Sequence, residues 1–108
     1  MTVRLAQLMH VYKGKYSEYE RRHQSLPTKF PEMKKVLQKA GAHNYSIYLD
    51  KSNGNLFAYL EVDNLKKYNQ IAKTEACRKW WAYMAPIMDT NPDKSPVTKD
   101  LSEVFHLN

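Results

Sequence analysis

Cysteine is almost absent. Cys77 is the single thiol in 108 residues, which excludes an intramolecular disulfide framework and leaves too few thiolates for a zinc ribbon. Glycine is sparse too: Gly14, Gly41 and Gly54 stand alone, so no glycine-rich phosphate loop is available. The G-x-S-x-G nucleophile elbow does not occur. Neither do H-x-H, HExxH or CxxC spacings, so no metal site is expected. No apolar run approaches the ~20 residues a membrane-crossing helix needs. Residues 1–6 lack the basic region and apolar stretch of a signal peptide, which leads us to expect a cytoplasmic chain without membrane association. Repeats and low-complexity segments are missing as well.

What is there fits one domain over residues 1–108. A chain of this length buries ~65% of the surface it exposes when unfolded, enough for a core without covalent staples. Hydrophobic residues make up 43% and aromatics 12%, too many for a disordered tail. Seventeen Lys and Arg against eleven Asp and Glu leave a formal charge of +6. That balance permits a nucleic-acid or anionic partner without requiring one. The cations are scattered, however. Arg21 and Arg22, Lys34 and Lys35, Lys66 and Lys67, and Arg78 and Lys79 fall as doublets, the pattern of solvated helix faces.

Periodicity gives the element order. Residues 3–11 set Val3, Leu5, Met9 and Val11 on one side of an extended segment, and Gly14 interrupts it. Residues 16–23 read as helix. A second helical piece starts at Pro31, a residue suited to a first turn, and Gly41 ends it. Residues 43–50 and 56–62 alternate, and the intervening Asn53-Gly54 is a hairpin signal. Asp63-Asn64 caps a helix over residues 65–74, and a further helix runs over 75–88. Residues 89–96 are a loop by composition. A last strand over 101–107 alternates Leu101, Glu103, Phe105 and Leu107. The expected architecture is α+β, a ferredoxin-like βαββαβ arrangement. Both helical layers then cover one sheet face. The other face must be solvated, bind something or meet a second copy, and aromatics on both faces favour the last two.

Two constellations carry possible chemistry. Tyr19 and His23, four apart in a helix, share a face, which sets a phenol beside the side chain that titrates near neutrality. Such a pair suits acid–base work; a surface histidine stacked on tyrosine is the plainer reading. Adjacent Trp80 and Trp81 point ~100° apart on a helix. One therefore packs inside while the other lines a cavity or an interface. Cys77 reads as a buried structural thiol. Residues 55–62 lack the glycine and basic lead of an RNA-binding strand, although Phe57 and Tyr59 can still stack bases.

Strings along nearly the whole chain resemble one family, the L-rhamnose mutarotases. They are Glu18-Tyr19-x-Arg21-Arg22-His23, Gly41-Ala42-His43-Asn44-Tyr45-x-Ile47-Tyr48-Leu49-Asp50, Trp80-Trp81-x-Tyr83-Met84, Asn91-Pro92-Asp93-x-Ser95-Pro96-Val97 and Leu101-x-Glu103-Val104-Phe105. The resemblance implies a dimeric α+β barrel that pairs through its sheet and holds the sugar in a cavity. It implies interconversion of the α and β anomers of L-rhamnose with no cofactor and no metal. Carried over by position, the proton donor falls on His23, and the substrate contacts on Tyr19, Tyr45, Trp80 and Trp81. One stretch departs from the family: residues 24–30 form a longer link, Phe30 stands where the family has tryptophan, and Pro27 is extra. The link is expected to reshape one pocket wall. Two other classes stay open, a monooxygenase-like enzyme on the same barrel and a single-stranded nucleic-acid binder.

Overall fold

The computed structural model describes residues 2–108. Its elements are β1 (Val3–His10), α1 (Tyr16–Gln24), α2 (Leu26–Lys29), α3 (Pro31–Lys39), β2 (His43–Asp50), β3 (Asn55–Val62), α4 (Leu65–Gln70), α5 (Glu75–Met84) and β4 (Lys99–Asp100). Short 3₁₀ turns follow α4 (Ile71–Lys73) and α5 (Ala85–Ile87). The sheet is antiparallel throughout, in the order β2-β3-β1-β4, the ferredoxin-like arrangement that the periodicity implies. No helix among the described residues is long and apolar enough to cross a membrane.

Alternation divides the sheet into two unlike faces. Opposed pairs on the inner face are Leu5↔Leu60, Gln7↔Ala58 and Met9↔Leu56. With Val62, Leu56 and Leu60 are almost wholly buried, and the core continues through Tyr19, Met33, Trp80 and Met84 of the helices. Opposed pairs on the outer face are Ala6↔Tyr59 and Leu8↔Phe57, with Tyr48 beside Phe57. No helix covers them: Phe57 is 43% exposed and Tyr48 69%.

Local chemistry sets the boundaries. The Asn64 side chain accepts from the Lys67 amide at 2.9 Å and opens α4; the Thr74 hydroxyl accepts from the Cys77 amide at 3.2 Å and opens α5. The hairpin closes where Gly54 donates to the Asp50 carbonyl at 2.9 Å. Gly54 has φ +81°, and a Cβ there would lie 2.5 Å from the Val11 carbonyl oxygen, so the position needs glycine twice over.

Three expectations need correction, and the link gains detail. The helix expected over 75–88 ends at Met84 because Pro86 lacks an amide hydrogen and tightens the chain into a 3₁₀ turn. The helix expected over 65–74 likewise stops at Gln70 and passes into a 3₁₀ turn, because Thr74 is extended to cap α5. Within the link 24–30, α2 forms with Pro27 in its first turn. The last strand is Lys99–Asp100 rather than 101–107, and residues 101–108 belong to no regular element. Alternation makes that segment able to pair; pairing also needs a neighbour in register, and β1 supplies one only near Gln7 and Leu8.

Candidate active site

A cavity of about 960 Å³ lies between the inner sheet face and the helices. α1 presents Tyr19 and His23 to it, β2 presents Tyr45, and α5 presents Trp80 and Trp81. All five residues singled out from the sequence therefore line one space. Tyr45 keeps 44% of its surface accessible, yet burial raises its phenol; its open surface is cavity wall more than outer protein surface.

His23 sits between two aromatic rings. Its imidazole lies 4.4 Å from the Tyr19 ring centroid, tilted by 34°, and meets Trp80 edge-on at 5.1 Å. Nδ1 lies 3.2 Å from the Tyr19 carbonyl oxygen. That contact makes Nδ1 a donor and leaves Nε2 as the nitrogen that can exchange a proton with a ligand. Burial pulls the His23 pKa below its ordinary value, against a smaller upward effect of the Tyr19 carbonyl. The ring thus holds its proton less firmly than a free imidazole.

The phenols behave oppositely. Burial pushes Tyr19 and Tyr45 well above the ordinary tyrosine range, helped at Tyr19 by the nearness of Tyr45 and at Tyr45 by Tyr68 and Cys77. Both stay neutral O–H groups at any working pH and serve as hydrogen-bond donors and acceptors, not as anionic bases. Tyr68 on α4 joins them at the cavity, its phenol also raised by burial. Sequence reasoning missed it. A single tyrosine on a short helix carries no local signal, and only the fold brings it opposite Tyr45.

Trp80 is both a core residue and a cavity wall. It is 7% exposed, and Phe30, like His23, meets it edge-on, at 5.2 Å. Trp81 is half-buried and also lines the cavity. The altered link acts accordingly. Gln24 and Leu26 reach the wall, whereas Phe30 stays out of the lining and packs on Trp80 and Tyr83, 4.9 Å from the latter.

A second layer ties α1 to α5. Arg22 donates to Glu18 at 2.6 Å and to the Tyr83 carbonyl, with its guanidinium 4.5 Å from the Tyr83 ring. Hydrogen bonds from Arg21 and Arg22 hold the Glu18 carboxyl down to about 2. The loop expected over 89–96 forms another wall through Asn91 and Ser95, and the pairing of Asp89 with His10 Nδ1 at 2.8 Å anchors it. His10, His43 and His106 all lie outside the cavity lining. Cys77 is buried, its thiol pushed up to about 11, an inert group at neutral pH. Among the described residues, no three His, Cys, Asp or Glu side chains gather as metal ligands.

Comparisons with known proteins agree on one family. A family model described as L-rhamnose mutarotase matches residues 4–107. A protein of Ligilactobacillus salivarius named L-rhamnose mutarotase is 71% identical over 108 residues, covering all of both chains. One of the same name from Lactiplantibacillus plantarum is 58% identical, covering 98% of this chain and 99% of its own. A crystal structure of L-rhamnose mutarotase from Formosa agariphila superposes with a TM-score of 0.88 at 39% identity, covering 98% of this chain and 99% of that one. A Nitrosomonas europaea chain grouped by name with the antibiotic biosynthesis monooxygenases has a TM-score of 0.63 at 10% identity, covering 96% and 91%; at that identity only the fold is shared. Matched along nearly its full length in sequence and in structure, the chain belongs to the L-rhamnose mutarotase family.

Proposed function

We propose that the chain interconverts the α and β anomers of L-rhamnose in this cavity, with His23 as the proton donor. The supporting observation is the placement of a half-buried imidazole, held by the Tyr19 carbonyl and edged by Trp80, in a cavity ringed with phenols. Mutarotation opens a cyclic hemiacetal and closes it on the other face of the aldehyde. In opening, the bond from C1 to the ring oxygen breaks, the ring oxygen gains a proton and the anomeric hydroxyl loses one. His23 in its protonated form donates to the ring oxygen and recovers that proton on closure; water takes the anomeric proton and returns it.

The phenols supply orientation. Tyr19 and Tyr45 hold sugar hydroxyls, and Tyr68 offers a third hydroxyl beside Tyr45. Trp80 or Trp81 lies against the C–H surface of the pyranose. A positioned acid–base group typically contributes ~10²–10⁴-fold, and mutarotation already runs slowly without a catalyst, so no stronger device is needed.

The test is anomeric exchange on L-rhamnose by saturation-transfer proton NMR, in dilute buffer free of imidazole. The wild type is expected to accelerate exchange, and His23→Ala to lose ~10²–10⁴-fold of that acceleration with its circular dichroism unchanged. An unfolded His23→Ala would assign the histidine to structure instead. Silence of the wild type on L-rhamnose combined with activity on L-lyxose, L-mannose or L-fucose would move the substrate and point to the Gln24 and Leu26 wall. Two further features belong to the proposal: a homodimer formed through the bare outer sheet face, read out by sedimentation, and a cytoplasmic setting, read out by cell fractionation.

A further inference from the structure

The inner faces of β1 and β3 are apolar except at one place. They present Leu5, Met9, Leu56, Ala58 and Leu60, and among these stands Gln7. The pairing runs one row across all four strands, as Ile47↔Ala58, Ala58↔Gln7 and Gln7↔Asp100, and opposed residues share a face. Gln7 is therefore on the cavity side of the sheet, and it lines the cavity. Its neighbour Ala58 is a single methyl group and adds little bulk beside the amide.

An amide on an apolar face is costly unless it is hydrogen-bonded. Gln7 has part of that compensation: Nε2 donates to Asp100 Oδ1 at 3.2 Å, its one side-chain hydrogen bond among the described residues. A carboxylate can only accept, so the amide nitrogen must face Asp100 and the carbonyl oxygen, Oε1, must turn away from it. No buried side-chain nitrogen or oxygen among the described residues lacks a partner. Oε1 is thus accessible, on the side of the sheet where the cavity lies. Asp100 also belongs to the surroundings of a cavity phenol: burial raises Tyr68 most, and Cys77 and Asp100 add to the rise. The phenols and the imidazole of the site can all donate to a sugar. A sugar hydroxyl that donates in turn needs an acceptor fixed in direction, and Oε1 is one.

We infer that Gln7 is a specificity-determining residue for the sugar: its Oε1 accepts from one of the non-reacting hydroxyls, at C2, C3 or C4, and Asp100 is the positioning residue that keeps the amide turned that way. The inference rests on the proposed activity and adds a contact from the sheet, across the cavity from the helices that carry His23 and Trp80. No bond of the sugar changes at Gln7. The contact is the same before and during ring opening, so it acts on KM and not on kcat.

The experiment measures anomeric exchange on L-rhamnose by saturation-transfer proton NMR over a concentration series, for the wild type, Gln7→Leu, Asp100→Ala and the double variant. Leucine is close to glutamine in size and suits the apolar face, so Gln7→Leu is expected to keep its circular dichroism and not to lower the urea midpoint. It is expected to raise KM ~5–10-fold with kcat unchanged, the worth of one hydrogen bond. Asp100→Ala is expected to raise KM by a smaller factor and to add nothing in the Gln7→Leu background. On the 2-deoxy, 3-deoxy and 4-deoxy forms of L-rhamnose, the Gln7→Leu penalty is expected to vanish for the one that lacks the recognised hydroxyl. A wild type that leaves exchange on L-rhamnose at background overturns the proposed activity on that sugar and this contact with it. An active wild type with an unchanged KM in Gln7→Leu overturns the contact alone. So does a penalty that persists on all three deoxy sugars, or one that falls on kcat. Full additivity of the two variants overturns the positioning role of Asp100.

Discussion

Neighbouring residues of β3 lead opposite lives. Leu56 and Ala58 are almost fully buried beneath the helices, while Phe57 between them is 43% exposed. The inner side of the sheet closes a core at its middle and leaves a phenol-lined cavity beside it. The outer side mixes apolar residues such as Leu8, Tyr48 and Phe57 with polar ones such as Arg4, Asn55 and Glu61, and no helix covers it. Both faces carry aromatics, so hydrophobicity does not separate them; the division comes from the pleat and from which side the helices return to. Burial shifts proton affinities on the inner side, whereas the outer side leaves Tyr48 and Phe57 exposed.

The widest way to break this comparison is to truncate either side of it. Leu56→Ala should cost ~2–5 kcal/mol of folding stability, since it opens a hole in a rigid core. Phe57→Ala, one residue along, should leave unfolding of the isolated subunit within ~0.5 kcal/mol, as surface changes usually do, and act on association instead. Urea unfolding monitored by tryptophan fluorescence, with sedimentation alongside, separates the two effects. Equal unfolding losses at 56 and 57 would mean that the outer face is folded against something within the chain.

A smaller loss is expected at the strut behind the site. Arg22 is mostly buried and is the group that reaches the Tyr83 carbonyl from α1. Arg22→Ala leaves that carbonyl without this partner and should cost ~1–3 kcal/mol. Because α1 carries His23 and α5 carries Trp80, the same change should lower the rate on L-rhamnose even when the protein is fully folded. Arg22→Lys, which cannot reproduce the two-directional reach of a guanidinium, should rescue less than half of the rate. NMR exchange measured well below the unfolding midpoint checks this; an unaltered rate would leave Arg22 a purely structural residue.

Legibility from sequence differs by region. The strands and their hairpin are readable because alternation and an Asn-Gly turn are local signals. Five cavity residues are readable because the Tyr19/His23 spacing and the paired tryptophans are unusual, and because the strings around them are specific. Tyr68 and the Asn91–Ser95 wall are not, since distant parts of the chain meet there only after folding. The end of the chain misleads for the opposite reason. Its alternation is real, but a strand pattern states what a segment can pair with, not whether a neighbour in the same chain is free.

Titration separates the sides more finely. The lowered pKa of His23 means that the protonated donor is lost as pH rises through a midpoint below the ordinary 6.5. Catalysis by that acid should therefore fall with rising pH through that lowered midpoint. Stability runs the other way. As pH falls through 6.5 the unfolded chain takes up the proton first, so folding weakens until the lowered folded value is passed. A rate that rises with pH through the same midpoint would make His23 the base and not the acid.

The smallest effect belongs to the more accessible partner in the strut. Glu18 is held near 2 by Arg21 and Arg22, against an ordinary value of 4.5, so its contribution to folding is complete above about 4.5 and drains away as pH drops towards 2. In water that contribution is screened. Glu18→Gln should therefore leave the urea midpoint at pH 7 unresolved from wild type, and it should flatten the acid-side decline in midpoint between about 4.5 and 2. The two residues touch each other, yet only Arg22 reaches across to α5. A Glu18→Gln loss as large as that of Arg22→Ala would show that the carboxylate, and not the Tyr83 carbonyl, is what keeps the guanidinium in place. The strut would then depend on its solvent-facing end.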